Sequence, residues 1–478
     1  MFKQTIEKTH SLNNNIKELL GSVLDDSAMK KITICSELSE TQKEAFEKFK
    51  LQKSLLILGP GGVGKSRLIK IMQEHHADDT DMVLCASTGV AAYNIGGMTI
   101  HSFMGIGSGD SDLNTLIRRI FRNKSIMERI RAIKILVIDE ISMLSASIFE
   151  KIHCIFQHFR RNKAFFGGVQ LILTGDFLQN EPVFNNFQLK SQEEPDTRLL
   201  IESDLFNSHF NRKNKNIVLL KTNFRQKNDG LFLDLLLRIR QNTYNQSDID
   251  LLQQKCLNFH NELKTKTQNQ IVPIHLVSSN KKAQIINESN LKKIRQTEFV
   301  YDASFNQTAK SFETELLTKE LQTQFKQKGL DNLRLRKGAR VMLIKNLDVI
   351  KGLVNGSVGT ITDFTGDNYP IVLFDNGQKE TIEPCNWELE MNNCRVKATQ
   401  VPLILAYALT IHKSQSITLD HAILDLEDCF CNHLVYSALS RLRSFDGLLL
   451  KSFNPKKITV NEGIIDWLSS TSTTSSAS

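Results

Sequence analysis

Eight consecutive residues, Gly59-Pro-Gly-Gly-Val-Gly-Lys65-Ser66, carry the G-x-x-x-x-G-K-[ST] spacing of a loop that cradles phosphates. Glycines let backbone N–H groups turn inward and the following helix N-terminus adds positive potential. Lys65 reaches the β and γ oxygens, and the Ser66 hydroxyl can ligate magnesium. Gly59, Pro60, Gly61, Gly62, Val63, Gly64, Lys65, Ser66 and Arg67 are therefore the candidate contacts for a nucleoside triphosphate. Two adjacent carboxylates, Asp139 and Glu140, close an apolar run and suit two tasks. Asp139 can hold the metal through water, and Glu140 can orient and deprotonate the water that attacks the γ-phosphorus. Gln179, in Gly175-Asp-Phe-Leu-Gln179, is a candidate γ-phosphate sensor.

Two arginines stand in suggestive settings farther along: Arg225 in Thr222-Asn-Phe-Arg-Gln226 and Arg441 in Tyr436-Ser-Ala-Leu-Ser-Arg441. No second phosphate loop accompanies them, so one site completed by guanidinium groups from a facing lobe is expected. Such groups would stabilise charge developing on the γ-phosphate and tie hydrolysis to closure of a cleft.

These side chains need elements to place them. Apolar, β-branched runs at 55–58, 83–86, 135–138 and 171–174 read as buried parallel strands alternating with helices, an α/β sheet with its ligand crevice at the strands' carboxyl ends. From Leu219 the pattern turns helical, with Leu231, Leu235, Leu236 and Ile239 at helical spacing, and 274–277 reads as another strand. Short runs at 340–344, 357–361, 371–374 and 379–382, separated by turns such as Asn355-Gly356 and Asp375-Asn376-Gly377, predict a small β-barrel. Buried-strand character resumes at 403–409 and 422–424, so the barrel is expected to interrupt a second α/β lobe.

The chain has 478 residues, 41% of them hydrophobic and 23% charged, enough for sizeable cores and too ordinary for wholesale disorder or a fibrous repeat. The longest apolar stretch, 401–411, falls short of the roughly 18 residues a membrane-spanning helix needs. Eight scattered cysteines fit reduced thiols and an intracellular setting. Cys385, Cys394, Cys429, Cys431, His421 and His433 lack C-x₂-C pairing, so no structural zinc is expected. The net charge of +8 is compatible with a polyanionic partner without requiring one.

From about Leu38 to Leu450 the chain resembles the PIF (petite integration frequency) helicases of superfamily 1, class B. The resemblance rests on an ordered series: Leu38-Ser-Glu-Thr-Gln42, the phosphate loop, Ser87-Thr-Gly-Val-Ala-Ala-Tyr-Asn-Ile-Gly97 with Thr99-Ile-His-Ser-Phe103, and Val137-Ile-Asp-Glu-Ile-Ser-Met-Leu144. It continues through Gly167-Gly-Val-Gln170, Gly175 to Gln179, Asn223-Phe-Arg-Gln226, Lys337-Gly-Ala-Arg-Val-Met-Leu343, Leu353-Val-Asn-Gly356, Leu409-Thr-Ile-His-Lys-Ser-Gln415 and Ala438-Leu-Ser-Arg441.

The resemblance implies two RecA-like parallel-sheet lobes with a small Src-homology-3-like β-barrel inserted in the second. The corresponding boundaries are a polar segment 1–37, a first lobe 38–218 with a small wedge insertion, a second lobe 219–332 and 401–468 split by the barrel 333–400, and a disordered tail 469–478. It further implies ATP and Mg²⁺ as cofactors, with adenine recognition by Gln42. Lys65, Glu140, Gln179, Arg225 and Arg441 would be catalytic, and Ser66 and Asp139 would hold the metal. A single-strand track would be formed by Ser87, Thr88, Thr99, His101, Ser102, His412, Lys413, Ser414 and Gln415. Hydroxyls, imidazoles, an amine and an amide suit such a track, because they bond phosphate oxygens without reading bases.

The implied function is an ATP-dependent 5′-to-3′ DNA helicase that translocates on single-stranded DNA and unwinds a duplex or fork in replication, repair, recombination or telomere maintenance. It would be monomeric when free, with nuclear, mitochondrial and cytoplasmic placement unresolved. Two departures stand out: Ser416 replaces a usual glycine, and Glu181 falls in a Pro-Pro-like segment. A superfamily-1 RNA helicase or RecD-like subunit, and an ATP-switched adaptor that binds nucleic acid without translocating, remain alternatives.

Overall fold

The structure is a computed structural model that describes residues 38–472, apart from 77–80, 108, 183–195, 212, 269–272, 308–313, 316–317, 320, 323–324, 327–328, 346, 349–350, 352, 354–355, 392–393 and 416. The polar segment 1–37, Asn355, Ser416 and the last six residues of the expected tail lie outside the described residues.

Six parallel strands form the first sheet: β1 (Leu55–Leu58), β2 (Met82–Ala86), β3 (Met98–Thr99), β4 (Ile135–Asp139), β5 (Gln170–Gly175) and β6 (Ile217–Leu219), in the order β3-β2-β4-β5-β1-β6. Their continuous apolar runs are explained by burial on both faces. Leu56, Leu58, Leu136, Ile138, Leu171 and Leu173 enter one core with Phe149, Phe156 and Phe206. The alternate residues Leu55, Ile57, Val137 and Ile172 enter a second core with Phe46, Leu68 and Met72. Register then sets the chemistry: Leu58 pairs with Gly175, and Ala86 with Asp139. The phosphate loop after β1, Asp176 after β5 and Glu140 after β4 thus leave the sheet at neighbouring carboxyl ends.

A second parallel sheet takes the order Ala408–Thr410, Ile274–Val277, Ala422–Asp425, Leu448–Ser452. The helix Gly230–Arg240 packs on it through Phe232, Leu235, Leu236 and Ile239. Leu231, expected in that stripe, is 85% exposed. Phe232 also fits the helical period, and Asp229 caps the helix by accepting from the Phe232 N–H, so the larger ring turns inward.

The interruption is larger than the expected 333–400. An antiparallel pair joins Glu298–Asp302 to Asn332–Arg336, and Ser304–Gln307 pairs with Cys394–Gln400, itself paired with Cys385–Met391. A five-stranded antiparallel sheet ends on Leu403–Leu405, which pairs with Arg340–Leu343. The expectation that 403–409 forms one strand of the second lobe is thereby corrected. The chain changes sheets at Ala406-Tyr407, because the antiparallel sheet offers Leu403–Leu405 an edge and the parallel sheet offers one to Ala408–Thr410.

The carboxyl end requires a second correction. Residues 469–472, expected in a disordered tail, continue the helix Glu462–Ser472. That helix, assigned by sequence to the second lobe, crosses back to the first. Ile464 is buried in the first lobe's core, Trp467 lies edge-on to Phe177 at 5.4 Å, and its indole N–H donates to Asn207 Oδ1 at 2.8 Å.

Candidate active site at the junction of the lobes

The phosphate loop ends on Gly64, whose φ of +80° is left-handed, and passes into the helix Lys65–His75. Gly62 has φ of +90°, and a Cβ there would lie 2.6 Å from the Arg225 side chain; one on Gly64 would lie 2.8 Å from Gln42 Nε2. Neither position admits a side chain, which is what a cradle for a phosphate chain requires. Lys65 Nζ donates to the Gly59 and Pro60 carbonyls at 2.7 and 3.1 Å, and burial lowers its pKa. The Gln42 amide braces the same loop, donating to Val63 O at 3.1 Å while its oxygen accepts from Ser39 N–H at 3.0 Å.

Asp139 ends β4 and Glu140 follows it. Asp139 Oδ1 accepts from the Thr174 hydroxyl and, at 2.9 Å, from the Glu140 N–H. Burial, reinforced by the Glu140 charge, pushes the Asp139 carboxyl up to about 6. Glu140 has φ of +53°, a costly backbone for a non-glycine residue that its surroundings must hold. Ser87 supplies one restraint: its hydroxyl donates to Glu140 O at 2.7 Å, and its N–H to Asp139 O at 3.2 Å.

The facing wall comes from the segment after β6 and from the second lobe. Asn223 Nδ2 donates to Gly61 O at 3.0 Å and Phe224 N–H to Gly62 O at 2.9 Å, strapping this segment along the phosphate loop. Arg225 donates to Thr418 Oγ1 at 3.0 Å and Ser440 O at 2.7 Å. Arg441 is buried; its Nη2 donates to Gln179 Oε1 at 3.2 Å and Ser440 Oγ at 2.9 Å, and its Nε to Ser437 O at 2.8 Å. Burial lowers both arginines, Arg225 to about 9, with Arg441 adding to the effect there. Two desolvated guanidinium groups in one cleft favour an incoming anion.

The result is a cleft of about 300 Å³ shared by the lobes. The first lobe lines it with Gly61, Gly62, Gly64, Lys65, Ser66, Arg67, Glu140 and Gln179; Phe224, Arg225, Thr418, Arg441 and Arg443 close it. Three of these the sequence reading missed. Phe224 lay inside a quoted motif, and its partly exposed ring sits against the Gly64 side of the loop. Thr418 and Arg443 carried no local signal. Cationic donors, a loop of glycines without side chains and the paired carboxylates Asp139 and Glu140 form a set that fits a nucleoside triphosphate with a divalent cation.

The expected strand-binding residues divide. Ser87 and Thr88 follow β2, Thr99 ends β3, and His101 and Ser102 follow it; since Ala86 pairs with Thr99, all five gather at one sheet edge. The Thr88 hydroxyl accepts from Ala91 N–H, and Thr99 Oγ1 accepts from Ser102 N–H while donating to Ser102 Oγ, so these groups also cap helices. His412 and Lys413 are half-buried, and burial lowers both pKa values. Ser414 and Gln415 do not lie on an accessible track. Ser414 is fully buried and donates to Ile411 O, and Gln415 is buried with its oxygen accepting from Asn180 Nδ2 of the first lobe at 2.8 Å. A tight turn after Thr410 faces them inward. Glu181 likewise joins the lobes, accepting from Asn432 and Asn461 at 3.2 and 3.1 Å.

The sequence and fold agree with known proteins. Residues 37–249 match the family model "PIF1-like helicase", and 320–364 match "DNA helicase Pif1, 2B domain". The ATP-dependent DNA helicase Pif1 of Bdellovibrio bacteriovorus is 31% identical over 90% of this chain and 91% of its own length. The zebrafish (Danio rerio) ATP-dependent DNA helicase PIF1 is 32% identical over 91% of this chain, which spans 64% of that protein. The crystal structure of Pif1 helicase from Candida albicans superposes with a TM-score of 0.72 at 31% identity, covering 90% of this chain and 99% of that one. A Bacteroides Pif1 helicase in complex with ADP-AlF3 and ssDNA superposes with a TM-score of 0.63 at 27% identity, covering 90% and 96%. With its motifs in family order, its lobes parallel-stranded and its arginines meeting at the phosphate loop, the chain belongs to the PIF1-like helicase family.

Proposed function

We propose that this chain is an ATP-dependent DNA helicase that moves 5′-to-3′ along single-stranded DNA and separates the duplex or fork ahead. One observation carries the reading: Arg441, from the second lobe, reaches Gln179, from the first, inside the cleft that holds the phosphate loop. Hydrolysis at such a site depends on how the lobes sit together, so a nucleotide cycle can tighten and relax a grip on a strand.

Magnesium-ATP, when bound, supplies the transferable phosphoryl group and the metal's countercharge. Gly61 to Ser66 would cradle its phosphates, Ser66 and Asp139 would hold the metal, and Gln42 and Phe224 would flank the base. Glu140 takes the proton of the attacking water at its carboxylate. Gln179, Arg225 and Arg441 place positive and polar groups where charge develops. The edge formed by Ser87, Thr88, Thr99, His101 and Ser102, with His412 and Lys413 from the other lobe, supplies phosphate contacts.

Related proteins support DNA as the substrate, one of them crystallised with ssDNA. Replication, repair, recombination and telomere maintenance are the processes such a motor serves. A monomeric free state and an intracellular setting belong to the same proposal. The latter is supported by the free thiols of Cys85, Cys154, Cys256, Cys385, Cys429 and Cys431 among the described residues.

The test is strand displacement on duplexes with 5′ or 3′ tails, with ATPase stimulation by DNA and RNA strands measured in parallel. Unwinding of the 5′-tailed duplex alone supports the reading. Stimulation by RNA only would favour the RNA helicase alternative, and ATP-switched binding without unwinding the adaptor.

A further inference from the structure

Gln179 and Arg441 meet across the interface, and two further buried links flank their contact. The Gly61 N–H of the phosphate loop donates to the phenol oxygen of Tyr436, 375 positions away, at 3.2 Å in a buried setting. The Arg240 guanidinium donates to Asp176 Oδ1 at 2.6 Å and Oδ2 at 3.2 Å, forming a bidentate pair in which both partners are buried. Burial opposes ionisation of both, yet the Asp176 carboxyl is held below its usual range by Arg240 with Lys65 and Gln179, and the Arg240 guanidinium above its own by Asp176 with Tyr436. Tyr436 lies within electrostatic reach of both.

The two links grip the two ends of the Gln179–Arg441 contact. Asp176 Oδ2 accepts from Gln179 Nε2 at 3.1 Å, which orients the amide so that its oxygen faces Arg441. Tyr436 lies in the helix Leu434–Leu439, just before Arg441. The Arg441 guanidinium is folded onto that helix through Ser437 O and Ser440 Oγ, so wherever the helix is seated, the guanidinium goes with it. Tyr436 is the side chain that seats the helix on the phosphate loop.

We propose that Tyr436 is a positioning residue for hydrolysis: its phenol registers the finger-bearing helix on Gly61, and it acts through Arg441. Arg240 completes the device by holding Asp176, and with it Gln179. The sequence reading assigned neither residue a role. The proposal rests on reading the chain as an ATP-hydrolysing motor.

The experiment is single-turnover and steady-state ATP hydrolysis by the full chain with saturating single-stranded DNA, for wild type, Tyr436→Phe, Arg441→Ala and the double variant. Phe keeps the ring and removes only the hydroxyl, so the core stays filled. One hydrogen bond of ordinary strength predicts that Tyr436→Phe lowers kcat about threefold to tenfold, with KM for ATP within about twofold of wild type. In the Arg441→Ala background the same change is expected to cost less than about twofold, because the group it positions is gone. An equal, multiplicative loss in both backgrounds would overturn the proposal, as would an unchanged kcat for Tyr436→Phe. Arg240→Lys keeps the charge and loses the two-pronged geometry; it is expected to lower kcat in the same manner, and wild-type kcat there would remove Arg240 from the device. Absence of DNA-stimulated hydrolysis in wild type would instead reject the parent reading.

Discussion

Arg441 Nη2 donates to Gln179 Oε1 at 3.2 Å, joining two residues 262 positions apart across the lobe boundary. In the proposed function, a guanidinium in that place finds its strongest partner in the transition state for phosphoryl transfer. Arg441→Ala is expected to lower kcat at least about a hundredfold while leaving nucleotide affinity within a few fold. Hydrolysis rates with fluorescent-nucleotide titrations check this; unchanged turnover would reject the role.

Glu140 and Lys65 separate binding from chemistry. Glu140→Gln keeps shape and removes the proposed base, so nucleotide should bind normally while turnover falls by about 10²- to 10⁴-fold. Lys65→Ala should weaken binding itself, since Lys65 lies in the loop and faces the charges of Asp176, Glu140 and Asp139. Equilibrium binding alongside hydrolysis distinguishes the two variants.

Ser87 offers a different outcome from a plain strand contact. Its hydroxyl is engaged with the carbonyl of left-handed Glu140. Ser87→Ala should therefore lower kcat about threefold to tenfold, the worth of one such bond, with single-strand affinity changed less than about threefold. A large loss of strand affinity with normal kcat would return Ser87 to the track.

Lys413 is half-buried, whereas its neighbour Ser414 is fully buried. Lys413→Ala should weaken single-strand binding and reduce the slope of log affinity against log salt by about 0.7, whereas Ser414→Ala should alter thermal stability and leave that slope alone. Binding isotherms at several salt concentrations decide this.

His433 ties stability to pH. It is buried, and burial lowers its pKa to about 4 even though Glu181 lies 3.9 Å away. The unfolded chain then binds a proton near pH 6.5 that the folded chain refuses until about pH 4, so its contribution is complete above 6.5 and is lost as pH falls toward 4. The expected slope is at most about 1.4 kcal/mol per pH unit in that window. Thermal melts at pH 7 and pH 5 should show a smaller difference for His433→Asn than for wild type.

Local order made much of this protein readable. The phosphate loop, the carboxylates at the end of β4 and the fully buried strands of both sheets depend on spacing within a dozen residues, where glycine freedom, strand burial and helix start signals act directly. Phe224, Asp176 and Tyr436 each sat inside a motif chosen for a different member, so the motif marked the place and left their work unnamed. Arg240 ended an apolar helix with a charge, a weak sign that only its partner Asp176 explains.

Residue order alone determined that a phosphate-binding loop, a paired carboxylate and two arginines exist, and on which kinds of element they lie. The tertiary structure decided which of them share a cleft, that Ser414 and Gln415 turn inward, that Leu403–Leu405 joins the antiparallel sheet, and that the final helix packs on the first lobe. The reason is physical. Local backbone preferences act between near neighbours, whereas these outcomes turn on which surface buries a side chain and which distant donor meets an acceptor, and such competition is settled only when the whole chain is folded.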